Sequence, residues 1–148
     1  MNKISTGAAI AMLSSPGLAA ALMADNNLEL RIFAGAVPAS ADAATGSATM
    51  LVAIKTGGSA GLSLQMAGAV LSKPSADTWL GSVVAAGRAT FYRLVKGGDA
   101  NDLSATAPRI QGSVAQVGGD VNLASVDLVV SAPQDLKDYV LSIVEAAA

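Results

Sequence analysis

From Leu28 onward, clusters of Gly, Pro, Asn, Asp and Ser interrupt the chain at intervals of roughly 8–15 residues, so the pieces between them read as short strands. Leu28-Glu29-Leu30-Arg31-Ile32 alternates, placing Leu28, Leu30 and Ile32 on one face with charges opposite. Gly35 to Gly46, with Pro38, Ser40 and Asp42, reads as a loop. Residues 50–54 are apolar on both faces and predict a central strand, and Thr56-Gly57-Gly58-Ser59 predicts a turn. Leu62, Leu64 and Met66 alternate again, with Ala69-Val70-Leu71 continuing or pairing back. Residues 88–95 concentrate β-branched and aromatic side chains and form the best strand. Residues 109–117, 121–123, 126–130 and 139–144 supply four more candidates, with Gly118-Gly119-Asp120 as a hairpin signal between two of them. The expected fold is all-β, a β-sandwich or jelly roll of about eight or nine short strands preceded by a short N-terminal helical segment. The expected division is a helical arm over residues 1–27 and a β-sandwich domain over residues 28–148.

The first segment carries no charge from Ile4 to Ala24. A signal peptide and a membrane span both fit it poorly, because Ser14-Ser15-Pro16-Gly17 interrupts the apolar run and most of its residues are Ala, Gly or Ser. Two short helical pieces fit better. Ser15 is the expected N-cap with Pro16 at the first helical position, Leu18 and Leu22 fall one turn apart, and Asp25-Asn26-Asn27 ends the helix.

Composition limits what such a fold does. Apolar residues make up 52% of the chain, but 31 residues are Ala and aromatics are 3%, so the core gains little per residue. Part of the apolar surface is therefore expected to be buried by other chains, with Ile4, Ile10, Leu13, Leu18 and Leu22 as the partner interface and neighbouring subunits holding the chain's two ends. Without Cys there is no disulfide or thiolate site, and without His the commonest general base and zinc ligand are missing. A net charge of −2 argues against nucleic acid as a partner.

Motifs for chemistry are weak. Gly57-Gly58-Ser59-Ala60-Gly61 matches the G-x-S-x-G nucleophile elbow, yet no His is present to act as base, so a Gly-rich hairpin is expected. Asp99, Asn101 and Asp102 suggest a cation loop, but Leu103 and Ser104 break the calcium-loop pattern, and an Asx-rich turn is the plainer reading. Arg88 and Arg93 point to opposite faces of one extended strand, one of them expected to be buried in an ion pair or to face a partner. No active site, cofactor or metal site is expected, and no membrane partner.

Taken in order, five blocks resemble a group of small virion structural proteins of tailed bacteriophages. They are Leu30-Arg31-Ile32-Phe33-Ala34-Gly35 with Pro38 and Asp42, residues 50–54, Gly87-Arg88-Ala89-Thr90-Phe91-Tyr92-Arg93-Leu94, Ile110-Gln111-Gly112-Ser113-Val114, and residues 118–130. That group shows a G-x-A-x-F-x-R strand and an x-Q-G-x-V strand before a Gly-rich hairpin, and the similarity spans about residues 28–144. The resemblance implies an all-β cement or decoration protein on the capsid exterior, made in the host cytoplasm. Its implied partners are the major capsid protein and copies of itself, as a dimer or trimer. Gly35, Gly112 and Arg93 are the group's recurrent positions, the glycines as turn or close-approach sites and Arg93 as a structural residue. The alternatives are a neck or tail subunit, connector or tube-associated, a head-fibre or receptor-binding module, and a small enzyme of unfamiliar type.

Overall fold

The computed structural model describes residues 1–15 and 17–142. In chain order it begins with β1 (Lys3–Ile4), α1 (Thr6–Leu13), α2 (Leu18–Met23), β2 (Leu28–Ala34), β3 (Thr49–Thr56), β4 (Gln65–Ala67) and β5 (Val70–Ser72). There follow β6 (Trp79–Ser82), β7 (Gly87–Arg88), β8 (Phe91–Lys96), β9 (Ile110–Ala115), β10 (Val121–Asn122), β11 (Asp127–Leu128), β12 (Pro133–Leu136) and β13 (Val140–Ser142). The main sheet has eight strands in the order β1-β9-β8-β2-β3-β6-β12, with β10 beside β9. Two small sheets, β11-β7 and β13-β5-β4, complete a sandwich-like, mostly β architecture with short N-terminal helices.

Alternation along the strands gives the main sheet two unlike faces. On one, Leu30 lies opposite Ile54 and Leu94, and Leu94 opposite Ile110. All four are fully buried in a core that also takes in Ala8, Leu18, Leu22, Leu71, Trp79, Leu136 and Tyr139. The helices and the β13-β5-β4 sheet therefore supply the second layer. On the other face, β2, β8 and β9 present Glu29, Arg31, Phe33, Phe91, Arg93 and Gln111, all buried as well. Loop segments 35–48 and 97–109 bond this polar face, and one another through Thr45 N–H to Asn101 O at 2.9 Å and Ser104 N–H to Asp42 O at 2.9 Å.

Helix α1 starts where two oxygens meet its free N–H groups. Ser5 is the N-cap and its Oγ accepts from the Ala8 N–H at 3.0 Å. Asp42, from the first loop, accepts the Thr6 N–H at 2.7 Å, setting a carboxylate at the positive end of the helix. Gly7 permits the inward approach, because a Cβ there would lie 2.3 Å from Thr106 O.

Several expectations are corrected. The second helix begins at Leu18 with Gly17, at φ +101°, as its N-cap, so Ser15 does not cap it, and Pro16 lies outside the described residues. Residues 1–27 are not a separable arm, since Ala8, Leu18 and Leu22 share one core with the strands and β1 pairs with β9. The strand expected over 88–95 is split. Arg88 pairs with Asp127 in the small sheet, and the backbone changes partner when Ala89 N–H turns to Val126 O and Thr90 N–H to Phe33 O. Residues 118–120 do not make an antiparallel hairpin, because β10 runs parallel to β9. Asp120 folds back to accept the Ser113 N–H at 2.8 Å, and the left-handed Gly118, at φ +78°, allows the reversal. Residues 69–71 do pair back, β5 against β4, and β12 is a strand that the sequence pattern does not announce. The candidate strand at 139–144 is β13, and its last two residues and the three closing alanines lie outside the described residues.

Leu22 tests the shared core. Leu22→Ala should lower unfolding free energy by roughly 2–5 kcal/mol in urea titration, as for a fully buried leucine. A midpoint close to that of the unsubstituted protein would contradict a load shared between helix and sheet.

Candidate functional site

The polar face of the sheet is organised by guanidinium groups. Arg31 on β2 faces Arg93 on β8, and Arg93 faces Gln111 on β9. Arg109, two residues before Gln111, shares that face. The three arginines are buried, Arg93 completely. A guanidinium taken from water is tolerated only when its donors find acceptors. Arg109 grips both Asp99 oxygens, Nε to Oδ2 at 2.6 Å and Nη2 to Oδ1 at 2.8 Å, and its Nη1 donates to Asp102 O at 2.7 Å. Arg31 donates to Glu29 Oε1 at 2.5 Å, Asp99 O at 2.6 Å, Asn101 Oδ1 at 3.0 Å and Gly97 O at 2.9 Å.

Arg93 differs from its neighbours in having no carboxylate partner among the described residues. Its Nε donates to Gln111 Oε1 at 2.9 Å and its Nη2 to Ala43 O at 2.6 Å. Gln111 passes the link on, donating from Nε2 to Pro38 O at 2.9 Å. Burial, and then the nearby Arg109 cation, lower the Arg93 pKa to about 10 against the opposing pull of Asp99 and Asp42. The ion pair expected of one arginine belongs instead to exposed Arg88, whose Nη1 lies 3.3 Å from Asp127. Beyond Arg93, Phe91 stacks on Phe33 with ring centroids 4.9 Å apart.

These bonds leave the candidate chemical groups occupied. Both oxygens of Asp99 serve Arg109 and the side-chain oxygen of Asn101 serves Arg31, so the acidic loop is an arginine-bound turn. Among the described residues no three His, Cys, Asp or Glu side chains converge as metal ligands. Ser59 sits in a tight turn closed by Thr56 N–H to Ala60 O at 2.9 Å, with Gly57 and Gly58 at φ +60° and +81°.

A second polar cluster lies at the β9 edge. The Tyr92 hydroxyl is 2.5 Å from Asn2 Oδ1 and 3.1 Å from the Tyr139 hydroxyl, and burial pushes the pKa of both tyrosines upward. Gly112 leaves the space into which they converge, since a Cβ there would lie 2.3 Å from Asn2 Oδ1, 2.6 Å from the Tyr92 ring and 2.8 Å from Asp120 Oδ2. Partial burial would raise the Asp120 pKa, but the Ser113 N–H, the Ser113 hydroxyl and the Met1 ammonium together hold it below the usual carboxylate value. Gly35 turns the chain after β2 at φ +115°, with a Cβ there 3.3 Å from Ala48 Cα.

The apolar residues expected at an interface divide. Ile4, Ile10 and Leu13 are exposed, Leu13 at 92%. Leu18 and Leu22 are buried in the chain's own core and are withdrawn from any partner, because the one-turn stripe they form faces the sheet. Exposed Met66, Val84, Val129 and Val130 were not anticipated as surface residues. Alternation marked Met66 as one face of a strand without saying that the strand would end at a sheet edge. The Val83 backbone bonds Ser131 and Ala132, bringing Val84 to the same end of the fold as Val129 and Val130.

Two substitutions test the polar clusters. Arg109→Ala should cost about 3–5 kcal/mol by thermal or chemical unfolding, because Asp99 is left buried and unpaired, whereas Arg88→Ala should cost at most about 1 kcal/mol. Asp120→Asn should cost about 1 kcal/mol at pH 7. A carboxylate with a depressed folded pKa stabilises above its unfolded value of about 3.9, and that contribution disappears as pH falls through the folded pKa. The stability gap between Asp120→Asn and the unsubstituted protein should therefore close below about pH 4, and a gap independent of pH would refute the ionic role. Comparison with known proteins gives no match for this chain among family models, curated proteins or solved structures.

Proposed function

We propose that the protein is a structural subunit of a phage virion, a cement or decoration protein bound to the capsid exterior through the major capsid protein. The observation that carries this reading is the placing of exposed apolar surface at both edges of the main sheet. Ile4, Ile10 and Leu13 lie on and beside α1, next to the β1 edge, while Val84, Val129 and Val130 flank β6 and β12 at the other edge. An isolated globule gains nothing from apolar surface at opposite edges, whereas a lattice subunit meets neighbours on more than one side. The order of the sequence blocks that resemble those of small virion proteins supports the same assignment. So does the polar face, whose arginines bond the backbone carbonyls of the covering loops and hold those loops in place.

The test is to mix the purified protein with mature capsids lacking it and to count bound copies by sedimentation and gel densitometry. Saturation at hundreds of copies, with capsids then surviving hotter incubation, is expected, because a ligand that binds only the intact shell stabilises it. Binding of about a dozen copies or fewer, or none, would overturn the cement assignment and move the subunit to the neck or tail.

A further inference from the structure

β1 and α1 are fastened to the fold by polar contacts more than by apolar burial. Of their apolar side chains only Ala8 is fully buried in the core, Ala11 and Met12 pack against it partly buried, and Ile10 and Leu13, one turn apart, make a ridge that faces outward. Helix α2 is held differently, by Leu18 and Leu22, both in the core. Ser5 is the main polar anchor. Its N–H donates to Arg109 O at 2.9 Å, and its hydroxyl donates to Ala107 O at 2.7 Å while accepting the Arg109 N–H at 2.8 Å. Asp42 takes the Thr6 N–H and hydroxyl, Lys3 Nζ donates to Ala39 O at 2.9 Å, and Asn2 Oδ1 accepts from the Tyr92 hydroxyl. Water replaces partners of this kind at modest net cost, whereas apolar burial is lost outright when surfaces part.

We propose that β1 and α1 form a strap that opens as a unit about Gly17 while α2 and the sheets stay folded. Gly17 joins the two helices at φ +101°, a conformation that favours glycine, and a Cβ there would meet nothing within 4 Å, so the chain has room to pivot. The ground on which the strap lies is held without it. Arg93 fastens Ala43, Gln111 fastens Pro38, and Arg109 grips Asp99 and Asp102. Opening therefore leaves both loops in place and bares the β9 edge where Lys3 and Ile4 pair with Gln111 and Ile110. It also frees the Tyr92 hydroxyl from Asn2. The folded chain thus has a second state with an unpaired strand edge, the kind of edge to which an extended segment adds. The device belongs to the free chain and does not depend on the virion reading.

Amide hydrogen exchange of the purified 148-residue chain, followed residue by residue by NMR, tests it. The Ser5, Ala8, Ala9 and Arg109 amides, each bonded to or donated by Ser5, should share one protection factor, at least about a hundredfold below those of β2 and β8. Arg109 discriminates, because it lies 104 positions from Ser5 and loses this partner only when the strap leaves. Fraying of α1 alone would expose Ala8 and Ala9 but keep Arg109 protected, and that pattern would overturn the proposal. So would exchange of all four amides as slowly as those of β2 and β8. Gly7→Ala supplies a wedge, since its Cβ would lie 2.3 Å from the backbone oxygen of Thr106. It should lower the four protection factors at least about tenfold further and leave those of β2 and β8 within about twofold of the parent. A parallel loss of protection in β2 and β8, or strap amides as protected as in the parent, would contradict independent opening.

Discussion

The fork between Arg109 and Asp99 is the contact on which most of the remaining structure depends. It closes the 97–109 segment on itself above a face of the sheet that would otherwise carry buried cations without partners. Arg31 and Arg93 then fasten that segment and the 35–48 loop to β2 and β8, largely through backbone carbonyls. The two loops bond each other, and Asp42 of the first reaches the N-terminus of α1. A line of charge-assisted hydrogen bonds thus runs from the middle of the sheet to the helix that carries the exposed apolar ridge. Such networks gain little in net free energy when complete and lose much when one member is removed. They fix the two loops and the start of α1 in one arrangement.

The all-β class and the apolar face of β2 were legible in the sequence, because Leu28, Leu30 and Ile32 alternate with charges and strand geometry converts alternation into faces. The burial of Glu29 and Arg31 was not. Alternation reports that two faces differ, but not that the polar one is wet, and the groups covering it come from as far as 70 residues along the chain. Nor could local composition reveal the break before Phe91, where residues equally suited to one strand exchange one sheet partner for another. The same limit explains Ser5 and Ser15. Both are good capping residues, and Ser5 also receives the Arg109 N–H at 2.8 Å, a contact across 104 positions.

The candidate interface shows a related limit. Leu18 with Leu22 and Ile10 with Leu13 are each one turn apart, so spacing alone makes both stripes equally suited to a core or to a partner. What separates them is the residue on the opposite side of the helix. In α1, Gly7 and Ala8 permit a close approach to the Thr106 backbone, and that approach turns the larger side chains outward.

The pairing of β1 with β9 sets the timing of folding as well as its end point. Lys3 lies opposite Gln111, and Ser5 bonds both Ala107 and Arg109, so this edge of the sheet forms only when segments about a hundred residues apart in the chain meet. Closing so long a loop is entropically costly and comes late, which places this chain among slow, high-contact-order folders. The strand that completes the edge of the sheet is thus the one whose pairing closes the longest loop.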